Sequence, residues 1–147
     1  TLLRNEGDFK FVDVTEKAGL MASTNSNSAQ WADFNNDGWL DVVIVGERQP
    51  HLLYRNNGDE TFTEVSIQAG VIKRQAVFAK GSTWIDYDND RYPDLFVNNL
   101  DGVPDLFHNN QNGTFTNVSD QFDLKNPTAG FSCWAWDFNN DGWEDIF

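Results

Sequence analysis

Apolar residues in this chain come in short clusters of two kinds. Val42-Val43-Ile44-Val45 and Leu95-Phe96-Val97 are unbroken, whereas Thr61-Phe62-Thr63-Glu64-Val65 and its likeness at Thr114 to Val118 alternate apolar with polar residues. β-Branched and aromatic side chains dominate both kinds, which predicts strands, the unbroken runs being the buried ones. The alternating runs belong to a longer motif. Leu3-Arg-Asn-Glu-Gly-Asp-Phe-Lys-Phe-Val-Asp-Val-Thr15 matches Tyr54-Arg-Asn-Asn-Gly-Asp-Glu-Thr-Phe-Thr-Glu-Val-Ser66 and Phe107-His-Asn-Asn-Gln-Asn-Gly-Thr-Phe-Thr-Asn-Val-Ser119, at intervals of 51 and 53 residues. Each copy sets Asn and Gly between two apolar-alternating stretches, the pattern of a hairpin turn.

Ahead of each unbroken run lies a segment of another character. Asp33-Phe-Asn-Asn-Asp-Gly-Trp-Leu-Asp41, Asp86-Tyr-Asp-Asn-Asp-Arg-Tyr-Pro-Asp94 and Asp137-Phe-Asn-Asn-Asp-Gly-Trp-Glu-Asp145 begin 53 and 51 residues apart. Oxygen side chains stand at positions 1, 3, 5 and 9: Asp33, Asn35, Asp37 and Asp41; Asp86, Asp88, Asp90 and Asp94; Asp137, Asn139, Asp141 and Asp145. Position 7, which is Trp39, Tyr92 or Trp143, adds a backbone carbonyl. A tight turn aims such a set at one centre, and hard oxygen donors in this number suit Ca²⁺. The EF-hand loop opens in the same way but needs a bidentate Glu at position 12 and flanking helices. Here position 12 is Ile44 or Val97, inside the predicted strands. Asp-Asn-Asp-Gly is also an ordinary turn former, which explains one such loop but not three at one spacing.

One repeat is therefore expected to contain a strand ending near Trp31 or Trp84, the acidic loop, a buried strand such as Asp41 to Val45, a third strand near Leu52 to Arg55, the Asn/Gly turn, and a fourth strand Thr61 to Val65. Four antiparallel strands make a propeller blade, and repeats of about 50 residues point to propellers or solenoids. Glu16 to Asn27, Ile67 to Lys80 and Asp120 to Gly130 are the expected connectors. Ala18-Gly19-Leu20 and Ala69-Gly70-Val71 recur in them as a turn of fixed geometry.

These motifs together, from Trp31-Ala-Asp33, Trp84-Ile-Asp86 and Trp136-Asp137 through the Asn/Gly turn to Thr-Phe-Thr, resemble the FG-GAP or VCBS repeats of β-propellers. The variety is the one found beside ASPIC/UnbV-type segments and related to the integrin α-chain propeller. The resemblance covers almost the whole chain. It implies blades with Ca²⁺ between their first two strands, and roles in adhesion, recognition or scaffolding outside the cytoplasm. The second loop departs from the pattern: position 6, usually Gly, is Arg91, Pro93 precedes the last ligand, and Asp88 stands where the other loops have Asn. A non-Gly residue at positive φ costs on the order of 1 kcal/mol; binding is expected to survive it.

The expected organisation is all-β: a half-blade at 1–20, blades at 28–71 and 81–124, and a complementary half-blade at 131–147. A closed propeller needs ~4 to 8 blades, and an uncovered half-blade exposes strand edges. Two readings follow. Either neighbouring sequence of a longer polypeptide supplies the missing strands, or the C-terminal half of one molecule pairs with the N-terminal half of the next, a heterologous contact that closes a ring or runs on as a filament.

Composition narrows the function. Net charge is −13, and ten of the 23 acidic residues are the aspartates at the loop ligand positions. Three Ca²⁺ ions would bring −13 to −7; a nucleic-acid partner, which wants a basic face, is not expected. The six Trp and twelve Phe are read as packing between blades, with Trp39, Tyr92 and Trp143 as the residues of a carbohydrate-binding platform if one exists. Cys133, beside Phe131, Trp134 and Trp136, reads as a buried small hydrophobe. The single Cys permits no intrachain disulfide and, with two His, no Cys/His zinc site. No run of ~18 apolar residues suggests a membrane span. Asn112-Gly-Thr114 and Asn117-Val-Ser119 match the glycosylation acceptor pattern. His51 and His108 lie at non-equivalent repeat positions without a nucleophile setting, so no catalysis is expected. The resulting expectation is a calcium-stabilised, extracellular structural or adhesion module, secreted or at the cell surface, partnered by neighbouring blades, copies of itself, or protein or carbohydrate ligands. The alternatives are a head-to-tail assembly subunit, a carbohydrate-binding module and a propeller-enzyme fragment.

Overall fold

The computed structural model describes residues 1–21, 25–72, 78–124 and 130–147; parts of the three expected connectors lie outside them. The strands are β1 (Leu3–Asn5), β2 (Phe11–Asp13), β3 (Ser26–Ala32), β4 (Asp41–Gly46), β5 (Leu52–Asn56), β6 (Phe62–Glu64), β7 (Ala79–Ile85), β8 (Asp94–Asn99), β9 (Asp105–Asn109), β10 (Phe115–Asn117), β11 (Ala135–Trp136) and β12 (Asp145–Ile146). One helical turn, α1 (Ser66–Ala69), follows β6, and a 3₁₀ turn at Ser119–Gln121 follows β10. All pairing is antiparallel. It builds two four-stranded sheets, β3-β4-β5-β6 and β7-β8-β9-β10, and two hairpins, β1-β2 and β11-β12.

The two sheets repeat each other in detail. Val42 faces Tyr54 across β4 and β5, and Leu95 faces Phe107 across β8 and β9. Both first strands carry a register shift near their start, between Ser26 and Ser28 and between Ala79 and Gly81. A hydroxyl after each fourth strand accepts the amide of the third: Leu53 N donates to Ser66 Oγ at 2.7 Å, Leu106 N to Ser119 Oγ at 2.9 Å, and Leu2 N to Thr15 Oγ1 at 2.8 Å. The glycosylation-like triplets close on themselves in the same way as the Asp-x-Thr triplets of the other units. Thr114 Oγ1 donates to Asn112 Oδ1 and Ser119 Oγ to Asn117 Oδ1, just as Thr15 Oγ1 donates to Asp13 and Thr61 Oγ1 to Asp59.

The first strands β3 and β7 lie side by side. Asn27 Nδ2 donates to Ala79 O at 2.8 Å, Ser28 and Ser82 hydroxyls meet at 3.2 Å, and Lys80 Nζ reaches Glu47 Oε2 at 2.7 Å. Between the sheets Val43, Val45, Leu53, Leu95, Val97, Phe107 and Phe115 form the main core with Phe34 of the first acidic loop. Burying each such side chain contributes ~1.5–3 kcal/mol. The other face of the second sheet presents Ile85, Phe96, Leu106 and Val118 to Cys133 and Ala135 of the C-terminal segment. Both faces of β8 are thus covered, which is why its sequence runs apolar without alternation. A Cβ on Gly81 would run into the Phe131 carbonyl, so this glycine is what lets the C-terminal segment lie so close. Gly19 and Gly70, at φ +76° and +77°, close the recurring Ala-Gly turns, and the turn at Ala18 receives the Phe62 amide at 2.9 Å.

Two expectations need correction. Tryptophan does not supply the core: Trp31, Trp39, Trp134, Trp136 and Trp143 are all exposed, and only Trp84 packs on the buried cluster. Val, Leu and Phe fill the space between sheets, while Trp134 and Trp136 lie at the β11-β12 hairpin, with which no further strand pairs among the described residues. Cys133 is half-buried rather than fully buried, although its apolar surroundings still push the thiol up to about 11.

Candidate metal centres

The acidic loops join β3 to β4, β7 to β8 and β11 to β12, the first two strands of each unit. Their backbone bends because two positions take left-handed conformation. Position 4 is Asn36, Asn89 or Asn140 at φ 56°, 60° and 59°; position 6 is Gly38, Arg91 or Gly142 at φ 91°, 72° and 90°. Arg91 adopts the strained conformation anticipated for it.

The same internal hydrogen bonds fold all three loops. The position-1 carboxylate takes two amides: Asp33 from Asp37 and Gly38 at 3.0 and 2.7 Å, Asp86 from Asp90 and Arg91 at 3.0 and 3.0 Å, and Asp137 from Asp141 and Gly142 at 3.1 and 2.9 Å. The position-3 oxygen of Asn35, Asp88 or Asn139 shares the position-5 amide at 3.1, 3.3 and 3.1 Å. Asp37, Asp90 and Asp141 accept the amides of Trp39, Tyr92 and Trp143 at 2.9, 2.8 and 2.9 Å. Position 9 closes the ring: Asp41, Asp94 and Asp145 accept the amides of Phe34, Tyr87 and Phe138. The other oxygen of Asp41 takes Asn56 N at 2.8 Å, and that of Asp94 takes Asn109 N at 2.7 Å, which ties each loop to the third strand of its sheet.

Asp41 and Asp94 are wholly buried, and desolvation pushes their carboxyls up to about 6. Side-chain oxygens of Asp86, Asp88 and Asp90 lie within 4.8 Å of one another. Like charges held this close in a loop whose other ligand positions also carry oxygen fit a hard divalent cation. The aromatic residues at position 7 are not arranged alike. Trp39 and Trp143 are half-exposed and Tyr92 is half-buried; the Trp39 ring lies over the Gly58 turn, 3.0 Å from where a Cβ would be.

Four features escaped sequence reasoning. Position 4 bridges loops: Asn36 Nδ2 donates to Arg91 O at 3.1 Å, and Asn89 Nδ2 to Gly142 O at 2.9 Å. Position 2 packs aromatic side chains in two different ways: Phe34 meets Phe115 of the second sheet at 5.7 Å, Tyr87 meets Phe122 of its own unit at 5.4 Å, and Phe138 stays exposed. Buried Asn109 donates through Nδ2 both to Phe34 O, at 2.8 Å, and to Pro93 O, at 3.0 Å. His108 also enters the second site, Nδ1 lying 3.4 Å from Asp88 Oδ2 and 3.3 Å from Asp94 Oδ1. The signal available in sequence was the paired difference between units, Asn35 with Arg55 against Asp88 with His108.

A family model described as "FG-GAP-like repeat" matches residues 1–44, 33–97 and 86–147. Cartilage acidic protein 1 from Xenopus tropicalis is 30% identical over 105 residues, covering 67% of this chain and 16% of that protein. The Homo sapiens protein of the same name is 32% identical over 108 residues, covering 67% and 15%, and the Mus musculus protein 31% over 108 residues, covering 67% and 16%. The matched part is thus about a sixth of those relatives' length. The chain belongs to the FG-GAP-like repeat family.

Proposed function

We propose that this chain of FG-GAP-like repeats is a calcium-binding, non-catalytic module of an extracellular structural or adhesion protein, its sheets being blades of a longer propeller. The observation that carries this reading is the same oxygen constellation, folded by the same hydrogen bonds, in three successive loops. Asp33, Asn35, Asp37 and Asp41, their counterparts Asp86, Asp88, Asp90 and Asp94, and Asp137, Asn139, Asp141 and Asp145 would hold the ions, with the carbonyls of Trp39, Tyr92 and Trp143. An ion there neutralises carboxylates that otherwise repel, and it fixes the loop that sets the turn between the first two strands. Sites of millimolar affinity would be filled at the calcium concentrations outside cells and left empty in the cytosol. The acidic character of the chain is in keeping with relatives named for cartilage and acidity. Among the described residues no helix is long and apolar enough to cross a membrane.

The test is a calcium titration of chelator-treated protein by calorimetry, paired with thermal unfolding. Binding near three equivalents and a rise in Tm are expected, because an ion that binds only the folded state at 100 times its Kd stabilises by about 2.7 kcal/mol per site. No heat and an unchanged Tm would refute the reading.

The C-terminal hairpin favours a second, compatible reading, in which units are completed by strand addition. Trp134, Trp136, Phe138, Ile146 and Phe147 line an exposed apolar cleft of about 450 Å³, with Trp134 and Phe147 stacked at 4.3 Å. By the register of the complete sheets, Ile146 would pair with a residue in the place of Leu3. A strand of this type can come from the continuing polypeptide or from another copy of the chain. Sedimentation in calcium decides between them: discrete monomers oppose assembly between copies, and calcium-dependent polymers support it.

A further inference from the structure

The second unit differs from the first at two places that meet in space. Where the first unit has neutral Asn35 in its loop and cationic Arg55 on β5, the second has Asp88 in its loop and His108 on β9. His108 Nδ1 is buried and makes no hydrogen bond. It nevertheless faces two carboxylate oxygens, Asp88 Oδ2 at 3.4 Å and Asp94 Oδ1 at 3.3 Å. A charge-assisted hydrogen bond would draw nitrogen and oxygen to ~2.7–2.9 Å, so these separations are half an ångström too long for one. They agree instead with the edge of a tetrahedron. Metal–nitrogen and metal–oxygen bonds of ~2.0–2.1 Å, as around zinc, place neighbouring ligand atoms about 3.4 Å apart.

We propose that Asp88, Asp94 and His108 form a transition-metal site for an ion of the Zn²⁺ class, overlapping the oxygen loop of the second unit. Imidazole nitrogen is a ligand that zinc-class ions accept well and that calcium passes over in favour of oxygen. The two oxygens are already held in place. Asp94 is fixed by the amides of Tyr87 and Asn109, and Asp88 turns Oδ1 into its own loop, toward the Asp90 amide at 3.3 Å, leaving Oδ2 for His108. Tyr87 packs edge-on against the imidazole at 5.9 Å and holds its plane. Outer contacts that orient ligands in this way are worth ~10–100-fold in metal affinity. With three protein ligands, a fourth position is left to water. The site uses neither Asp86 nor Asp90 but shares Asp88 and Asp94 with the second oxygen loop, so a zinc-class ion would compete with calcium there and leave the first and third loops untouched.

The test uses untagged, chelator-treated protein titrated with Co²⁺ as a spectroscopic substitute for Zn²⁺, followed by competition with Zn²⁺. One equivalent should give the intense visible absorption of tetrahedral cobalt, removed by Zn²⁺. His108→Arg and Asp88→Asn each install the residue that the first unit already carries, so both variants should retain the fold by circular dichroism. His108→Arg should abolish the band, and Asp88→Asn should weaken cobalt binding at least tenfold. An unchanged spectrum in His108→Arg overturns the proposal. So does a parent protein that gives only the weak absorption of octahedral cobalt. Calcium-induced stabilisation of His108→Arg reads the oxygen loops separately, since His108 is not among their ligands; its loss would count against the calcium reading and not against this one.

Discussion

Asn109 and Asn56 occupy the same place in successive units, yet replacing them with Ala should have very different consequences. Asn109 is wholly buried and spans three pieces of chain. Nδ2 donates to the carbonyls of Phe34, in the first loop, and Pro93, in the second, while Oδ1 accepts Gln111 N at 3.0 Å. Truncation leaves the Phe34 carbonyl without its partner in a buried position, at ~1–3 kcal/mol. The Pro93 carbonyl is only part-buried and loses a more modest bond, about 1 kcal/mol. Together the expected loss for Asn109→Ala is about 3 kcal/mol. Asn56 Nδ2 meets only the Leu40 carbonyl, at 3.0 Å and in contact with solvent, where water can replace it. Asn56→Ala should therefore cost about 0.5–1 kcal/mol. Urea unfolding in calcium, followed by tryptophan fluorescence, separates the two. With m-values of ~1–3 kcal/mol/M, the Asn109 midpoint should fall about 1–2 M below that of the Asn56 variant. Equal midpoints at equal m would refute the idea that this side chain staples one sheet to the next.

Two further outcomes follow from the loops. Arg91→Gly should stabilise the calcium-bound protein by up to about 1 kcal/mol, because Arg91 sits at φ 72° while its amide and carbonyl contacts belong to the backbone and survive the change; an unchanged or lower Tm contradicts this. In chelator, stability should rise as pH falls from 7 toward 5, since Asp41 and Asp94, pushed up to about 6 from 3.8, favour the fold when protonated and lose that contribution as pH climbs through 6. Asp13, Asp59, Glu47 and Glu60 are shifted down instead, so their contributions are lost only below about pH 4.5 and do not enter the window from 5 to 7. With calcium bound the same carboxylates must stay ionised and the slope should reverse, which denaturation midpoints at pH 5 and 7 in both conditions will show.

What the sequence made legible was whatever is local and periodic. Strands β4, β6, β8 and β10 lie where the apolar runs predicted them, β5 lies where the order of the repeat placed it, and the loops fold by contacts spanning two to seven residues. The antiparallel all-β class and the family follow from the same spacing. What escaped is contact between units. Asn36 meets Arg91 across 55 residues and Asn109 meets Phe34 across 75, and no local period marks either pair. Tryptophan exposure failed for a related reason, since whether Trp134 and Trp136 are covered depends on what lies beyond the hairpin and not on their own periodicity. His108 was passed over because it was weighed as a catalytic residue. Its meaning comes from the antiparallel register that brings β9 back beside the loop ahead of β8.

The division of labour within each loop explains why three similar loops are more than three separate sites. The oxygens at positions 1, 3, 5 and 9 are engaged within their own unit, whereas the position-2 carbonyl of Phe34 and the position-4 side-chain amides reach the next unit and the position-6 carbonyls reach the preceding one. A cation that orders one loop's backbone therefore also places the donors and acceptors by which that unit grips its neighbour. In a linear array, stability is a sum of unit terms and nearest-neighbour terms, and ions bound in these loops would contribute to both. The middle loop grips on two sides: Asn36 holds its Arg91 carbonyl, and its Asn89 holds the Gly142 carbonyl, while Glu144 Oε2 accepts the Asp86 amide at 2.9 Å. It is also the loop with the strained Arg91 and the added carboxylate of Asp88. The departures from the common pattern thus collect at the unit whose loop is held by both neighbours, where the surrounding contacts can best hold a backbone that would not keep this shape alone.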